Sequence, residues 1–123
     1  MHNQEQERRK EQRFLAKRGA VALMESIHSK LGQVEDVSMG GLSFRYMQLK
    51  KESALFDAVH LFFPRYDFFI KQIPMRVVTD IEELNQSPFQ TITMRRCGIQ
   101  FLELSTALRT ELDFFLKNYT VTK

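Results

Sequence analysis

The segment Asp36-Val37-Ser38-Met39-Gly40-Gly41 decides how the middle of this chain folds. It joins two stretches, residues 31–37 and 41–49, that show the apolar–polar alternation of half-buried strands. Its acid and its hydroxyl can hydrogen-bond to the nearby backbone, and its two glycines accept backbone angles that other residues avoid. The segment therefore predicts a corner between two strands with a polar, open surface. Two interpretations follow from it: an ordinary β-turn, or a corner that another molecule approaches closely.

The bulk composition limits the class of protein. A chain of 123 residues is long enough for one domain with one core. No apolar run approaches the roughly 18 residues of a membrane helix, and the polar N-terminus has no secretory signal, so we expect a cytoplasmic protein without membrane insertion. The single cysteine, Cys97, allows neither an internal disulfide nor a thiolate metal cage, and we expect it to be a core residue. The three histidines lack metal-ligand spacing, so no metal site is predicted.

The excess positive charge is concentrated at one end of the chain. Residues 1–18 hold six basic and three acidic side chains, which accounts for the whole net charge of +3. Residues 19–123 hold equal numbers of each sign. A local basic cluster favours a phosphate-bearing partner. A barrel that binds single-stranded nucleic acid would instead carry a basic stripe, so nucleic acid is not an expected partner.

Two arginines in this basic segment are candidate ligand groups. Arg9 and Arg13 are four residues apart, which places them on one face of a helical turn or lets them converge from a loop. A guanidinium forms forked hydrogen bonds with phosphate oxygens or with the O6/N7 edge of guanine, and it stacks on bases. The pair is therefore either an anion clamp or the solvated start of a charged helix.

The hydropathy pattern predicts several short strands followed by one helix. The strand-like stretches are residues 21–27, 31–37, 41–49, 59–63, 68–70, 75–79, 89–97 and 99–104. Pro74 marks an edge or a bulge, residues 80–88 a loop with a helical turn, and Gly98 lies between the last two strand-like stretches. Apolar residues then recur every three or four positions, which predicts a helix of about 14 residues that begins with Ser105 or Thr106 as its N-cap. Short strands at regular spacing indicate a small closed β-barrel, which this helix covers.

Arg9-x-x-x-Arg13 followed by Asp36-x-Ser38-x-x-Gly41 resembles the two-part signature of the PilZ domain family. The final strand around Gly98 and the capped helix agree with the usual end of that domain. The resemblance covers residues 8–119 as one domain, with residues 1–7 and 120–123 as tails. It implies a mainly β fold, a six-stranded antiparallel β-barrel of the PilZ split-barrel type with a C-terminal α-helix. It also implies a bacterial receptor for the second messenger cyclic di-GMP, which is a ligand and not a cofactor.

The resemblance also implies a set of ligand-binding residues. The expected set is Arg8, Arg9, Arg13, Asp36, Ser38, Gly40 and Gly41, with Arg96 as a less central member. In this family the side chain just before the first motif arginine influences whether one ligand or a stacked pair is bound. An arginine there can stack on guanine, so Arg8 favours a stacked pair, and its alternative is a solvated charge.

The signal would pass through another protein. We expect the N-terminal segment to become ordered over the barrel when ligand binds, which would create or hide a surface for an unidentified downstream protein. No nucleophile-plus-base arrangement, phosphate-binding loop or dinucleotide fingerprint is present in the sequence, so no enzyme activity is expected. The alternative function is a nucleotide-independent adaptor of the same fold that acts through protein contacts.

Overall fold

The structure is a computed structural model, and it describes residues 12–25, 29–48, 56–83 and 93–121. Within these ranges the chain forms eight strands, one turn of 3-10 helix at Pro64–Tyr66 and one α-helix, α1 (Thr106–Asn118). The strands are β1 (Phe14–Ala16), β2 (Val21–Met24), β3 (Lys30–Ser38), β4 (Gly41–Gln48), β5 (Ala58–Phe63), β6 (Phe68–Glu82), β7 (Thr93–Phe101) and β8 (Thr120–Val121).

Six strands close into an antiparallel barrel with one C-terminal helix, which confirms the predicted fold class. The order is β2, β5, β6, β7, β4 and β3, and β2 pairs back onto β3 to complete the ring. β3 pairs with β4 along one edge. Along its other edge, the first half of β3 pairs with β2 and the second half pairs with β1. The segment that leads into β1 is therefore brought to the end of β3 where the predicted corner lies.

The barrel core follows from the alternation of side chains along each strand. In β4, Leu42, Phe44 and Tyr46 are buried, while Arg45 and Met47 between them are exposed. In β7 the buried members are Cys97, Ile99 and Phe101. The prediction that Cys97 is a core residue is confirmed. Arg45 consequently lies on the outer surface of the barrel. The part of this surface formed by β3, β4 and β7 is called the outer wall below.

β6 is the strand that differs most from the sequence prediction. It runs without a break through Pro74, so its last residues, 80–82, belong to a strand and not to the predicted loop. Its first half pairs with β5 and its second half with β7. Register irregularities in both halves, one of them at Gln72 with a φ of 58°, bend this long strand around the barrel. Pro74 sits where the pairing with β5 ends, and its carbonyl accepts a hydrogen bond from the Leu102 N–H at 2.8 Å, just beyond the end of β7.

β7 joins the two strand-like stretches that the sequence predicted on either side of Gly98. It passes through Gly98 and ends at Phe101, so residues 102–104 are not part of it. A Cβ on Gly98 would lie 2.6 Å from Oγ1 of Thr79 on β6. Glycine at this position therefore keeps two strands in contact and does not break one.

Helix α1 covers one end of the barrel. Ser105 is its N-cap, and the Ser105 hydroxyl accepts a hydrogen bond from the Leu108 N–H at 3.2 Å. Leu112 and Phe115 are buried in the barrel core. Thr120 and Val121, which the sequence assigned to a tail, form β8 against β1. The helix and the strand after it thus hold β1 from outside.

The neighbouring residues Phe114 and Phe115 provide a test of this packing. Phe115 is fully buried, whereas Phe114 is 48% exposed and contacts the rings of Phe68 and Tyr119 at the surface. We predict that Phe115→Ala lowers the free energy of unfolding by about 3–5 kcal/mol, because it leaves a cavity beneath the helix. Phe114→Ala should lower it by about 1 kcal/mol or less. Urea denaturation followed by circular dichroism measures both, and equal losses would contradict the burial of Phe115.

Candidate functional site

The corner between β3 and β4 is held together by its own polar groups. Ser38 is opposite Gly41 in the strand pairing. The Ser38 hydroxyl accepts a hydrogen bond from the Gly40 N–H at 3.0 Å and donates a longer one to the Gly41 carbonyl at 3.4 Å. Ser38 is buried, so in this structure its hydroxyl fixes the turn. The corner therefore is an ordered β-turn, as one of the two interpretations of the sequence requires.

Gly41 is required by the close approach of two strands. A Cβ at this position would lie 2.1 Å from the carbonyl oxygen of Ile99 on β7, a distance that no side chain can occupy. The carbonyl of Gly40 accepts a hydrogen bond from the Phe101 N–H at 2.8 Å, which joins the corner to the end of β7. The two glycines thus keep this part of the outer wall low and fixed to its neighbour strand.

Asp36 holds one of the two motif arginines. Leu15 of β1 is paired with Asp36, and Arg13 immediately precedes β1. Nη1 of Arg13 lies 2.6 Å from Oδ1 of Asp36, in an ion pair in which the arginine side chain is 57% exposed and the carboxylate 20%. The structure therefore brings together the two halves of the signature, which are 23 residues apart in sequence. Arg8 and Arg9 lie outside the described residues.

Arg96 lies on the same wall, beside Asp36. Its Nη2 is 3.8 Å from Oδ2 of Asp36 and 3.6 Å from Oε2 of Glu35, so both contacts are ion pairs without hydrogen-bond distance. Its side chain is 46% exposed. Arg45 is held differently, because its Nε and Nη2 contact the two carboxylate oxygens of Glu83 at 2.6 and 2.7 Å. Hydrogen bonding by Arg45 holds the pKa of Glu83 below its usual value.

These charges form a continuous row on the outer wall. From one end to the other, acids and arginines alternate in the order Glu83, Arg45, Glu35, Arg96, Asp36 and Arg13. Glu35 lies at the register irregularity of β3, which turns it toward both strand arginines. The sequence analysis did not single out Glu35 or Arg45. Strand alternation predicts Arg45 on the outer face, but the irregularity that turns Glu35 has no signal in the sequence.

Arg95, next to Arg96, has a different environment. Its Nε donates to Oδ1 of Asp80 at 2.9 Å, and Asp80 also accepts hydrogen bonds from the Tyr46 hydroxyl at 2.7 Å and from Nζ of Lys30 at 3.0 Å. This cluster lies inside the barrel, at the end away from α1. Burial raises the pKa of Asp80, but the hydrogen bonds from Tyr46, Arg95 and Lys30 outweigh burial and hold the pKa below the ordinary value. Only Arg96 of the two adjacent arginines thus belongs to the outer wall.

The described residues give two further results. Burial raises the pKa of Cys97 to about 12, so its thiol is neutral at physiological pH. In the described ranges no three metal-ligating side chains come together, and no helix there has the length and hydropathy needed to cross a membrane.

The described structure defines a small antiparallel β-barrel domain with a site lined by arginines and carboxylates on its outer wall. The profile of the PilZ domain family matches residues 7–118. The chain therefore belongs to the PilZ domain family.

Solved structures share this fold. The PilZ domain with c-di-GMP of YcgR from Escherichia coli superimposes with a TM-score of 0.66 at 15% identity, over 89% of this chain and 90% of that one. The complex of K. pneumonia MrkH with c-di-GMP gives a TM-score of 0.67 at 16% identity, over 89% of this chain and 51% of MrkH. This chain thus spans about half the length of MrkH. At such identities the likeness shows the fold. No curated protein sequence matches the chain.

Asp80 provides a test of the charged cluster inside the barrel. We predict that Asp80→Asn lowers the free energy of unfolding at pH 7 by about 1–3 kcal/mol, because it weakens three hydrogen bonds at once. The folded-state pKa is depressed, so the stabilising contribution is complete above the ordinary pKa of 3.8. It is lost as the pH falls from there through the lower pKa of the folded protein. Urea denaturation between pH 7 and pH 3 should therefore show the two proteins converging in acid.

Asp113→Asn is the matched control for this prediction. Asp113 forms an exposed pair with Lys117 on α1 at 2.9 Å, so its loss should cost less than about 0.5 kcal/mol. If Asp80→Asn is as mild as this control at pH 7, the cluster inside the barrel does not stabilise the fold.

Proposed function

We propose that this protein is a receptor for cyclic di-GMP, which binds against the outer wall between the N-terminal arginine segment and the Asp36–Gly41 corner. The observation that carries the proposal is the contact of Arg13 with Asp36, which joins the two halves of the family signature at one place on the barrel. The PilZ domain of YcgR and MrkH, both with this fold, are c-di-GMP complexes. In this proposal the protein binds the ligand without changing it chemically, and so acts as a receptor and not as an enzyme.

The chemistry of the wall suits this ligand. Cyclic di-GMP is a compact dianion with two guanines, so it needs cations, flat surface and hydrogen-bond partners for purine edges. Arg13 is more than half exposed while Asp36 holds it, so its guanidinium is available to phosphate or guanine. Arg96 has only long ion pairs and can turn toward the same ligand. Arg9 and Arg8 would complete the clamp from the segment before the described residues.

The corner has a supporting part in this proposal. Ser38 uses its hydroxyl for the turn, and the Gly40 N–H is already bonded to it. These groups then fix the geometry of the wall, while Gly41 lets the Ile99 carbonyl of β7 approach β4 closely. Asp36 serves mainly to orient Arg13, and its second oxygen remains for a guanine donor.

A second function is supported by the same contact. Nη1 of Arg13 contacts Oδ1 of Asp36 directly at 2.6 Å, so the pair can link the start of β1 to β3 without a nucleotide between them. A nucleotide-independent adaptor would use this pair structurally and bind its partner protein in all conditions. The two functions make opposite predictions for arginine variants.

Isothermal titration calorimetry with cyclic di-GMP, with GTP and 5′-GMP as controls, tests the receptor. We predict selective, saturable binding that the double variant Arg9→Ala/Arg13→Ala weakens by at least about 100-fold. Two lost charge-assisted hydrogen bonds of about 1.5–3 kcal/mol each account for this size. Arg65→Ala/Arg109→Ala removes the same charge away from the wall and should bind almost normally. No heat with the wild-type protein at high ligand concentration would refute the receptor and leave the adaptor.

The stoichiometry of the same titration tests the part proposed for Arg8. Two ligands per chain are expected if Arg8 stacks on guanine and holds an intercalated pair. Arg8→Ala should then reduce the ratio to one ligand per chain, whereas a solvated Arg8 would leave it unchanged.

Hydrogen exchange with mass spectrometry tests the proposed switch. The receptor signals by ordering residues 8–13 over the barrel, in the cytoplasm of a bacterium, and so changes the surface seen by a downstream protein. Peptides from this segment should exchange at least about tenfold more slowly with saturating ligand than without it. Peptides from α1 serve as the internal control and should not change. Equal exchange of residues 8–13 in both states would contradict switching by ordering, even if ligand binds.

A further inference from the structure

Ser43 occupies the centre of the outer wall, and nothing in the family signature includes it. It lies opposite Asp36 on one side and opposite Gly98 on the other. Leu42 and Phe44 on either side of it are fully buried in the core, so alternation directs the Ser43 hydroxyl to the wall that carries Arg13 and Arg96.

The hydroxyl of Ser43 lacks a hydrogen-bond partner. The residue is only 8% exposed, and its Oγ contacts no donor or acceptor among the described residues. A buried hydroxyl in this condition is destabilising, and native proteins contain few such groups. Those that persist call for an explanation such as a functional role.

A second orphaned atom lies on the same wall. Oε1 of Glu35 is also buried without a hydrogen bond, although Nε of Arg45 is 3.4 Å away and attracts it. In the described residues these are the two buried side-chain oxygens without a partner. Both belong to the strands β3 and β4 that form the candidate site. The buried oxygens without a hydrogen bond therefore lie where the ligand is proposed to bind.

The surroundings of Ser43 are closely packed. Gly41 precedes it by two residues on the same face, and Gly98 is its neighbour on β7. A Cβ on Gly41 would lie 2.1 Å from the Ile99 carbonyl oxygen and one on Gly98 2.6 Å from Oγ1 of Thr79, so a ligand reaches the hydroxyl only when a side chain beside it moves. Arg96, two residues from Gly98 on the same face, is held by ion pairs of 3.6 and 3.8 Å. A ligand that attracts Arg96 would thus open the wall next to Ser43.

We propose that Ser43 is a ligand-contacting residue of the cyclic di-GMP site, whose hydroxyl donates a hydrogen bond to an acceptor on a guanine edge. This inference rests on the proposed receptor function. A purine ring lying on the glycines presents its O6 and N7 acceptors to the side, and a serine hydroxyl pairs with either. The bond would supply the partner that the hydroxyl lacks in the free protein.

The proposal predicts opposite effects of one substitution on stability and on binding. Ser43→Ala removes a buried hydroxyl without a partner, so the melting temperature of the ligand-free protein should rise by about 2–5 °C. The same variant should bind cyclic di-GMP about 5–20-fold more weakly, since it cannot make the new hydrogen bond. That range corresponds to about 1–2 kcal/mol at 1.4 kcal/mol per tenfold. A hydroxyl with a merely structural role would lower stability when removed.

Differential scanning fluorimetry and calorimetry on the full chain test both effects. Thr110→Val is the matched control, because its hydroxyl bonds only to the Thr106 carbonyl on the exposed face of α1. It should leave the affinity unchanged. A Ser43→Ala protein that binds as tightly as wild type, or that loses stability without ligand, overturns the role of Ser43 and leaves the receptor intact. Absence of binding to the wild-type protein refutes the receptor itself, and the role of Ser43 with it.

Discussion

The pairing of β1 with β3 is the constraint on which the candidate site depends. It consists of two registered residue pairs, Phe14 with Val37 and Leu15 with Asp36. The ion pair of Arg13 with Asp36 cannot replace it, because a pair with an arginine this exposed contributes about 0–1 kcal/mol. The short ladder therefore positions the arginine, and the ion pair follows. β8 supports β1 from outside, so the C-terminal helix contributes indirectly to the position of the N-terminal arginine.

A site built on so short a ladder can respond to a ligand. The wall of β3, β4 and β7 is joined by long antiparallel ladders and is buried on its inner side, so its corner and its glycines are fixed. Arg13, which immediately precedes β1, is attached to this wall by an exposed ion pair with Asp36. A ligand that binds both the wall and the segment before β1 would find a preformed surface on the wall and would change the position of the segment. A receptor needs both properties, a fixed binding surface and a part that moves.

The sequence predicted which strands and helix form better than it predicted the residues at which they begin and end. Alternation located the buried faces of β4 and β5, and the three- to four-residue period with Ser105 located α1, because these signals are local. The loop expected at residues 80–88 was wrong for residues 80–82, because their place in β6 depends on pairing with the distant strand β7. The site was partly predictable for the same reason. Asp36 and Arg13 belong to a recognisable signature, whereas Glu35 reaches the wall only through an irregularity that depends on the register with β4.

The two polar regions of the barrel show how the fold separates stability from function. Inside the barrel, the partly buried carboxylate of Asp80 receives hydrogen bonds from a tyrosine, an arginine and a lysine, so protein groups satisfy it. On the outer wall, Ser43 and Glu35 each keep a buried oxygen without a hydrogen bond. A chain that provides three hydrogen-bond donors to the carboxylate of Asp80 is able to provide one partner to the hydroxyl of Ser43. A partner from outside the described residues would satisfy these two oxygens, and a ligand rich in hydrogen-bond donors and acceptors fits that description.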